Sequence, residues 1–434
     1  MKKFIYILLA IVINGSAIAQ TPAPAGPQQK AVLITGATVH TGTGQTINNG
    51  SVAFENGKLT YVGPASGAPT DQSKYDVINA SGKHVYPGFI IPNSRLGLEE
   101  VSNVRATVDS DETGDFNPNV RAQVAYNTDS EIIPTFRYNG ILLAEAAPVG
   151  GVISGTSSVM QLEGWNWEDA TYAKDVAIHI TWPGLQNRRF DFATFSIITE
   201  ANPNYAKNVA AINKFFDDAG GYSKLSNKPV NLKMEAMQGL FTGSQSLVVH
   251  AGGPKELIEA IKFAKDKSVK RIAVVTDEAA LSAAAFLKEN SIPVIIPMVH
   301  DLPFRTDSYV DAPFTLPGQL SKAGLTVAFS HNDMLTRGRN LPFYAGTAIA
   351  YGMDPEEALK ALTLNPAKIL GIDKTTGSLE NGKDANLFIS AGDAFDMRTN
   401  IVSDVFIVGK HVTLDNKQQE LYNRFSKKYG HTTK

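Results

Sequence analysis

The chain is 434 residues long, 43% hydrophobic and carries a formal net charge of -2, enough length and apolar content to bury a large core in more than one structural unit. That balance gives no electrostatic footprint for nucleic acid, and loss of an N-terminal segment containing Lys2 and Lys3 would make the chain slightly more acidic still. Cysteine is absent, which excludes a disulfide framework and a thiol-borne lipid anchor.

Residues 1–19 read as a secretory signal, with Lys2 and Lys3 as the charged region, Phe4 to Ile13 as the apolar run and Ala17-Ile18-Ala19 as a small-residue cleavage site. The apolar run is too short to span a bilayer, and no other segment is long enough, so no membrane span is expected. Residues 20–30, rich in Pro and Ala, read as an extended linker. The expectation is an exported protein, periplasmic or extracellular after cleavage near Ala19.

From Ala31 to Tyr86 the sequence alternates like β-structure, with Glu55-Asn56-Gly57 marking a tight hairpin. The same texture returns in Gly377–Gly392 and Ile401–Leu414, around Asn381-Gly382 and Gly409-Lys410. Two β-rich ends too short to bury separate cores predict one composite β-sandwich, residues 31–86 with 375–420. Between them, residues 87–374 alternate apolar runs with helical stretches, the pattern of parallel strands and crossover helices. The runs are GILLAEAAP from Gly140, AIHITW from Ala177, SLVVHA from Ser246, RIAVVT from Arg271, PVIIPM from Pro293 and LTVAFS from Leu325. Lys255–Lys267 and Glu278–Asn290 are predicted as intervening helices.

Five blocks carry a resemblance. YPGFIIPNSRLGLEE (86–100) is followed by VVHAGGPKELIEAIKFA, RIAVVTDEAALSAAAFLKENSIPVII, LSKAGLTVAFSHND, and NLPFYAGTAIAYGMDPEEALKALTLNPAKILGI with GSLENGKDANLFI. In this order they resemble the amidohydrolase superfamily, closest to its imidazolonepropionase-like group. The resemblance implies an α/β fold, a (β/α)8 TIM-like barrel at residues 87–374 with the composite sandwich beside it, and a site at the C-terminal ends of the barrel strands. It also implies a hydrolase of non-peptide C–N bonds that uses a divalent metal.

Residue by residue, the carried-over metal site is largely substituted. The family's first-strand His-x-His triplet reads Asn93, Ser94, Arg95; the fifth-strand histidine matches His250; the sixth falls near Val275 or Thr276; the eighth-strand aspartate aligns with Asn332 in FSHND. An amide and a guanidinium are poor company for a dication, because Arg is always charged and has no acceptor lone pair. A displaced zinc site would use His250, His331 and Asp333, a one-residue slip placing Asp333 in the aspartate's position. Otherwise His250 is a hydrogen-bonded histidine of the barrel mouth. The candidate catalytic residues are His250, Asn332 and Asp333, and the candidate substrate-binding residues Asn93, Arg95, Arg105 and His331. Arg95, if buried, requires a carboxylate partner, with Glu145 and Asp333 the leading candidates.

Leu96–Asn127 is too long and polar for a mere connection, and reads either as a solvated loop or as an ordered lid held by Arg105, Asp109, Asp111, Glu112 and Arg121. Val149–Trp167, rich in glycine and hydroxyls, contains neither a phosphate-loop pattern nor a nucleophile elbow, and reads as a backbone-driven turn beneath the lid. Trp165 and Trp167 would either stack on a ligand or pack in the core.

Two functions stay open. One is a secreted hydrolase of a small amide or cyclic amide, using water activated by a noncanonical metal or by His250 and Asp333. The other is a non-catalytic relative, a possible pseudoenzyme, that binds a small molecule or associates, as a homo-oligomer or with an active paralogue, as a partner subunit.

Overall fold

The computed structural model describes residues 23–303 and 307–431. The signal-peptide reading and the first part of the linker lie outside the described residues. Among those described, no helix is long and apolar enough to cross a membrane.

Five strands open the chain: β1 (Ala31–His40), β2 (Thr46–Glu55), β3 (Lys58–Pro64), β4 (Tyr75–Asn79) and β5 (His84–Pro87). The β2–β3 turn is the one the sequence marks, with Asn56 and Gly57 both at positive φ, 50° and 78°. Barrel strands follow: β6 (Phe89–Ser94), β7 (Ile141–Ala146), β8 (Ile153–Gln161) and β9 (Thr171–Thr181), then a projecting hairpin of β10 (Gln186–Asp191) and β11 (Ser196–Ala201). The barrel continues with β12 (Ser246–His250), β13 (Ile272–Val275), β14 (Val294–Ile296) and β15 (Val327–Phe329), and β16 (Leu387–Ser390), β17 (Val402–Ile407) and β18 (Lys410–Val412) end the sheet structure.

The two ends of the chain share one eight-stranded sheet, ordered β18-β17-β16-β5-β1-β2-β3 with β4 alongside β1. The seam is β5 against β16, antiparallel, with Pro87 opposite Leu387 and His84 opposite Ser390. Val32, Ile34, Phe54, Leu387 and Phe406 pack into a single core across that seam, so neither end encloses its apolar side chains without the other.

The second eight-stranded sheet, ordered β6-β7-β8-β9-β12-β13-β14-β15, curls into a nearly closed barrel. Its ends meet where Ser330 Oγ donates to Pro92 O at 2.7 Å. One strand departs from the expected all-parallel order: β8 is antiparallel to both β7 and β9. The middle of Val149–Trp167, Ile153–Gln161, is therefore a fully buried strand and not a turn; Gly150 and Gly151, at positive φ, make the bend before it. Three of its hydroxyls, which obscure an apolar alternation, find partners: Thr156 with Pro118 O, Ser157 with Glu145, Ser158 with Gln123.

Barrel strands alternate between two cores. Ile90, Leu143, Ala177, Val248, Val275 and Ile295 fill the barrel interior, while Ile178, Val249, Val274 and Phe329 face the helical layer. The helix Pro254–Asp266 matches its sequence signal, with Pro at its start and Leu257, Ala260, Ile261 and Ala264 buried at helical spacing. The second predicted helix is broken at Ala283 into Ala279–Ser282 and Ala284–Glu289.

Candidate functional site at the barrel mouth

Because side chains alternate along a strand, the residue two places beyond each interior apolar residue also faces inward, nearer the C-terminal end of the parallel strands. That rule carries Leu143 to Glu145, Ala177 to His179 and Val248 to His250. The three polar residues form one hydrogen-bonded chain. Glu145 Oε1 lies 2.9 Å from His179 Nε2, and His179 Nδ1 lies 3.1 Å from His250 Nε2. Glu145 and His179 are both wholly buried.

Glu145 is the anchor. Ser157 Oγ donates to its Oε1 at 2.6 Å, and the Asn93 backbone N–H donates to its Oε2 at 2.7 Å. Burial opposes its charge, but the neighbouring His179 imidazole and the hydrogen bonds from His179, Ser157 and Asn93 outweigh burial and hold it below the usual carboxylate range. Asn93 reaches it by adopting φ of 51°, a left-handed conformation that Asn tolerates better than most residues.

An ionised Glu145 fixes the tautomers behind it. It can only accept, so His179 Nε2 carries the proton and neutral His179 presents a lone pair at Nδ1. His250 must then donate from Nε2, which leaves the lone pair of neutral His250 at Nδ1. Among the described residues that nitrogen makes no hydrogen bond. Burial, with the neighbouring His179 adding to it, pushes the His250 pKa down to about 3.

Arg95 does not pair with either carboxylate that the sequence pointed to. It donates to Glu99 Oε1 at 3.1 Å and to the backbone carbonyl of Asp333 at 3.2 Å. Glu99 also accepts from Ser110 Oγ, so Arg95 ties the ends of β6 and β15 to the segment covering the mouth. That segment is ordered: Asp111, Phe116 and Arg121 make β-bridges to Val149, Ile153 and Thr156, and Arg121 pairs with Asp175 at 2.8 Å. Arg105 stands exposed on it, 3.9 Å from Asp111.

The remaining candidates are held apart from His250. His331 is buried, with Nδ1 at 2.7 Å from Tyr344 OH and Nε2 at 2.9 Å from Met334 O, so both ring nitrogens are occupied. The Asp333 carboxylate pairs with Arg337 at 2.8 Å, half exposed, and Asn332 is exposed. At the sixth-strand position Val275 joins the interior core and Thr276 is buried.

The divalent metal implied by the resemblance does not fit this donor set. Arg95 places a cation at the first-strand end, His331 has no lone pair to spare, and Asp333 is committed to Arg337. Among the described residues no three His, Cys, Asp or Glu side chains are grouped to hold an ion. His179 was passed over in the sequence because AIHITW reads simply as a strand; its two-residue step from Ala177, matching Val248 to His250 next door, was the available signal.

Comparison with known proteins agrees with the barrel at the level of fold. Residues 245–412 match the model of the amidohydrolase family. The imidazolonepropionase of Flavobacterium psychrophilum is 31% identical over 152 residues, 33% of this chain and 34% of that protein. The imidazolonepropionase of Symbiobacterium thermophilum is 24% identical over 388 residues, 79% of this chain and 84% of that one. The chain spans about a third or less of the length of the curated relatives it matches first, 34% and 27%. In fold, the crystal structure of an amidohydrolase from Thermotoga maritima MSB8 superposes with a TM-score of 0.76 at 24% identity, covering 88% of this chain and 99% of that one.

Proposed function

We propose that this amidohydrolase-superfamily chain is an exported hydrolase of a non-peptide C–N bond in a small amide or cyclic amide, with His250 as its general base. The observation that supports the reading is the Glu145–His179–His250 chain, whose enforced tautomers leave a lone pair at His250 Nδ1. A water beside that nitrogen gives up a proton as its oxygen adds to the amide carbonyl carbon. His250 passes its Nε2 proton to His179 Nδ1, so the positive charge comes to rest beside the buried Glu145 carboxylate. The proton returns to the leaving nitrogen as the C–N bond breaks. Glu145 and His179 act as positioning residues.

The test is turnover of a panel of small lactams, cyclic imides and simple primary amides in chelator. Turnover that survives chelation and is lost in His250→Asn supports the reading; turnover lost on chelation and restored by zinc overturns it.

A second reading, a non-catalytic relative that binds a small molecule or an active paralogue, draws on the low basicity of His250, since a base held near 3 is far from an optimum at neutral pH. Saturable binding of a panel compound without turnover would favour it.

A further inference from the structure

The hairpin of β10 and β11 stands away from the barrel. It leaves the mouth end of β9 and is closed at its base, where the Asn202 N–H donates to the Leu185 carbonyl at 2.9 Å; among the described residues neither of its edges pairs with a further strand. Two strands alone are marginal in water, because they bury too little to offset the cost of ordering them. Their apolar side chains are uncovered: Phe190, Phe192, Phe195 and Ile197 are 47%, 79%, 80% and 57% exposed.

These four side chains form one patch. Phe190 stands opposite Ile197 across the strands, and the rings of Phe192 and Phe195 meet the Phe190 ring edge-on at centroid distances of 5.0 and 6.0 Å. The turn that presents them is fixed by the Asp191 carboxylate, which accepts from the Ala193 N–H at 3.1 Å and from the Thr194 hydroxyl at 2.7 Å. Phe195 adopts a φ of 50°, a left-handed conformation that suits Gly or Asn and strains a bulky aromatic residue, so its ring is held at the tip against a backbone cost.

Area and charge both point to a second copy as the cover. The patch offers about 500 Å² of apolar surface, toward the upper end of what a monomer leaves bare, and two such patches face to face bury about 1,000 Å², the threshold for a specific interface. Arg188 and Arg189 balance Asp191 and Glu200, so two hairpins meet without net repulsion. Arg189 and Glu200 also pair with each other at 3.5 Å on the face opposite Phe190 and Ile197, which leaves the apolar face clear of that pair. An anionic lipid surface gains nothing from a neutral hairpin. The Asp191 carboxylate, held below its ordinary range chiefly by the Thr194 hydroxyl, keeps a charge at the tip that would have to enter the bilayer.

We propose that two copies of this chain associate about a two-fold axis through this hairpin, the Phe190–Ile197 face of one laid on the same face of the other. The interface does not depend on whether His250 catalyses.

The test is sedimentation velocity with light scattering on the purified chain, from about 0.1 to 100 μM. The expected result is a monomer–dimer transition with a Kd of about 10 μM, abolished in the double variant Phe192→Ser and Phe195→Ser, which stays monomeric throughout that range. Both rings are exposed, so the thermal midpoint of the double variant at the lowest concentration should equal that of the wild-type monomer. A wild-type monomer at every concentration, or a dimer that survives the double variant, would overturn the proposal. So would a monomer that co-sediments with phosphatidylglycerol vesicles only when these phenylalanines are present, which would assign the patch to a lipid surface.

Discussion

Glu145 and His179 face each other at 2.9 Å with neither exposed to solvent, and every further contact of the pair is a donor or acceptor fixed by β6, β8 or β12. Glu145→Ala would strand three donors at once, and removing one partner of a buried pair costs about 3–5 kcal/mol. Denaturant melts should register that loss. Glu145→Gln is the subtler variant: its amide releases the tautomer constraint, so nitrogen NMR of His250 should change from one protonated site to a mixture. An unchanged tautomer would separate His250 from Glu145.

Arg95→Ala should destabilise the protein by about 2 kcal/mol, because Glu99 loses its cation while keeping the Ser110 hydroxyl. The effect is smaller than for a fully buried pair, since the Arg95 side chain is 27% exposed. Arg95→Lys should recover part of it. Wild-type stability in Arg95→Ala would reduce the residue to a bystander at the mouth.

Acid should destabilise the fold early. His250 and His40 titrate near 3 and near 4 in the folded protein against 6.5 when unfolded, burial being the main cause for both. The unfolded chain therefore takes up protons first. Their contribution to stability is full above pH 6.5 and is lost progressively as pH falls through 6.5 toward 4 and below. Thermal melts across that window should show a falling midpoint that flattens partly in His40→Asn. A level midpoint would contradict the assigned burial.

The protein as purified without chelator or affinity tag should contain less than one equivalent of zinc, manganese or iron by elemental analysis. Asn93→His, Arg95→His and Asn332→Asp together should increase zinc affinity in titration calorimetry, because they replace an amide, a cation and an exposed amide by ligands. Stoichiometric metal in the wild-type protein would sink this expectation, and loss of that metal in a His250, His331 and Asp333 triple variant would point to the displaced site.

Much of this architecture could be read in the sequence because burial writes itself into period. The strand beginning at Ile141, the run ending in His250 and the Asn56-Gly57 turn all have local causes. β8 did not, since a strand with both faces buried against polar partners loses its alternation, and ISGTSSVMQ resembles a loop until Glu145 and Gln123 are seen beside it. Arg95 was harder still. Its partners Glu99 and the Asp333 carbonyl depend on how the covering segment folds back, which no periodicity encodes. At the mouth His250 was found by its block, while His179 required the register between β9 and β12.

The reversed strand has a kinetic consequence. An all-parallel barrel must close a long crossover before each new strand can pair, whereas β7, β8 and β9 follow one another as an antiparallel meander with short connections. Such local pairings form faster than distant ones. This corner, carrying Glu145, Ser157 and His179, is therefore expected to assemble before β6 and β15 meet, so that the Glu145–His179 contact exists in the nascent barrel before His250 joins it from β12. Pulse-labelled hydrogen exchange during refolding should protect the amides of Ala144 and Ile178 before that of Ala328; simultaneous protection would mean that the meander gives the chain no head start.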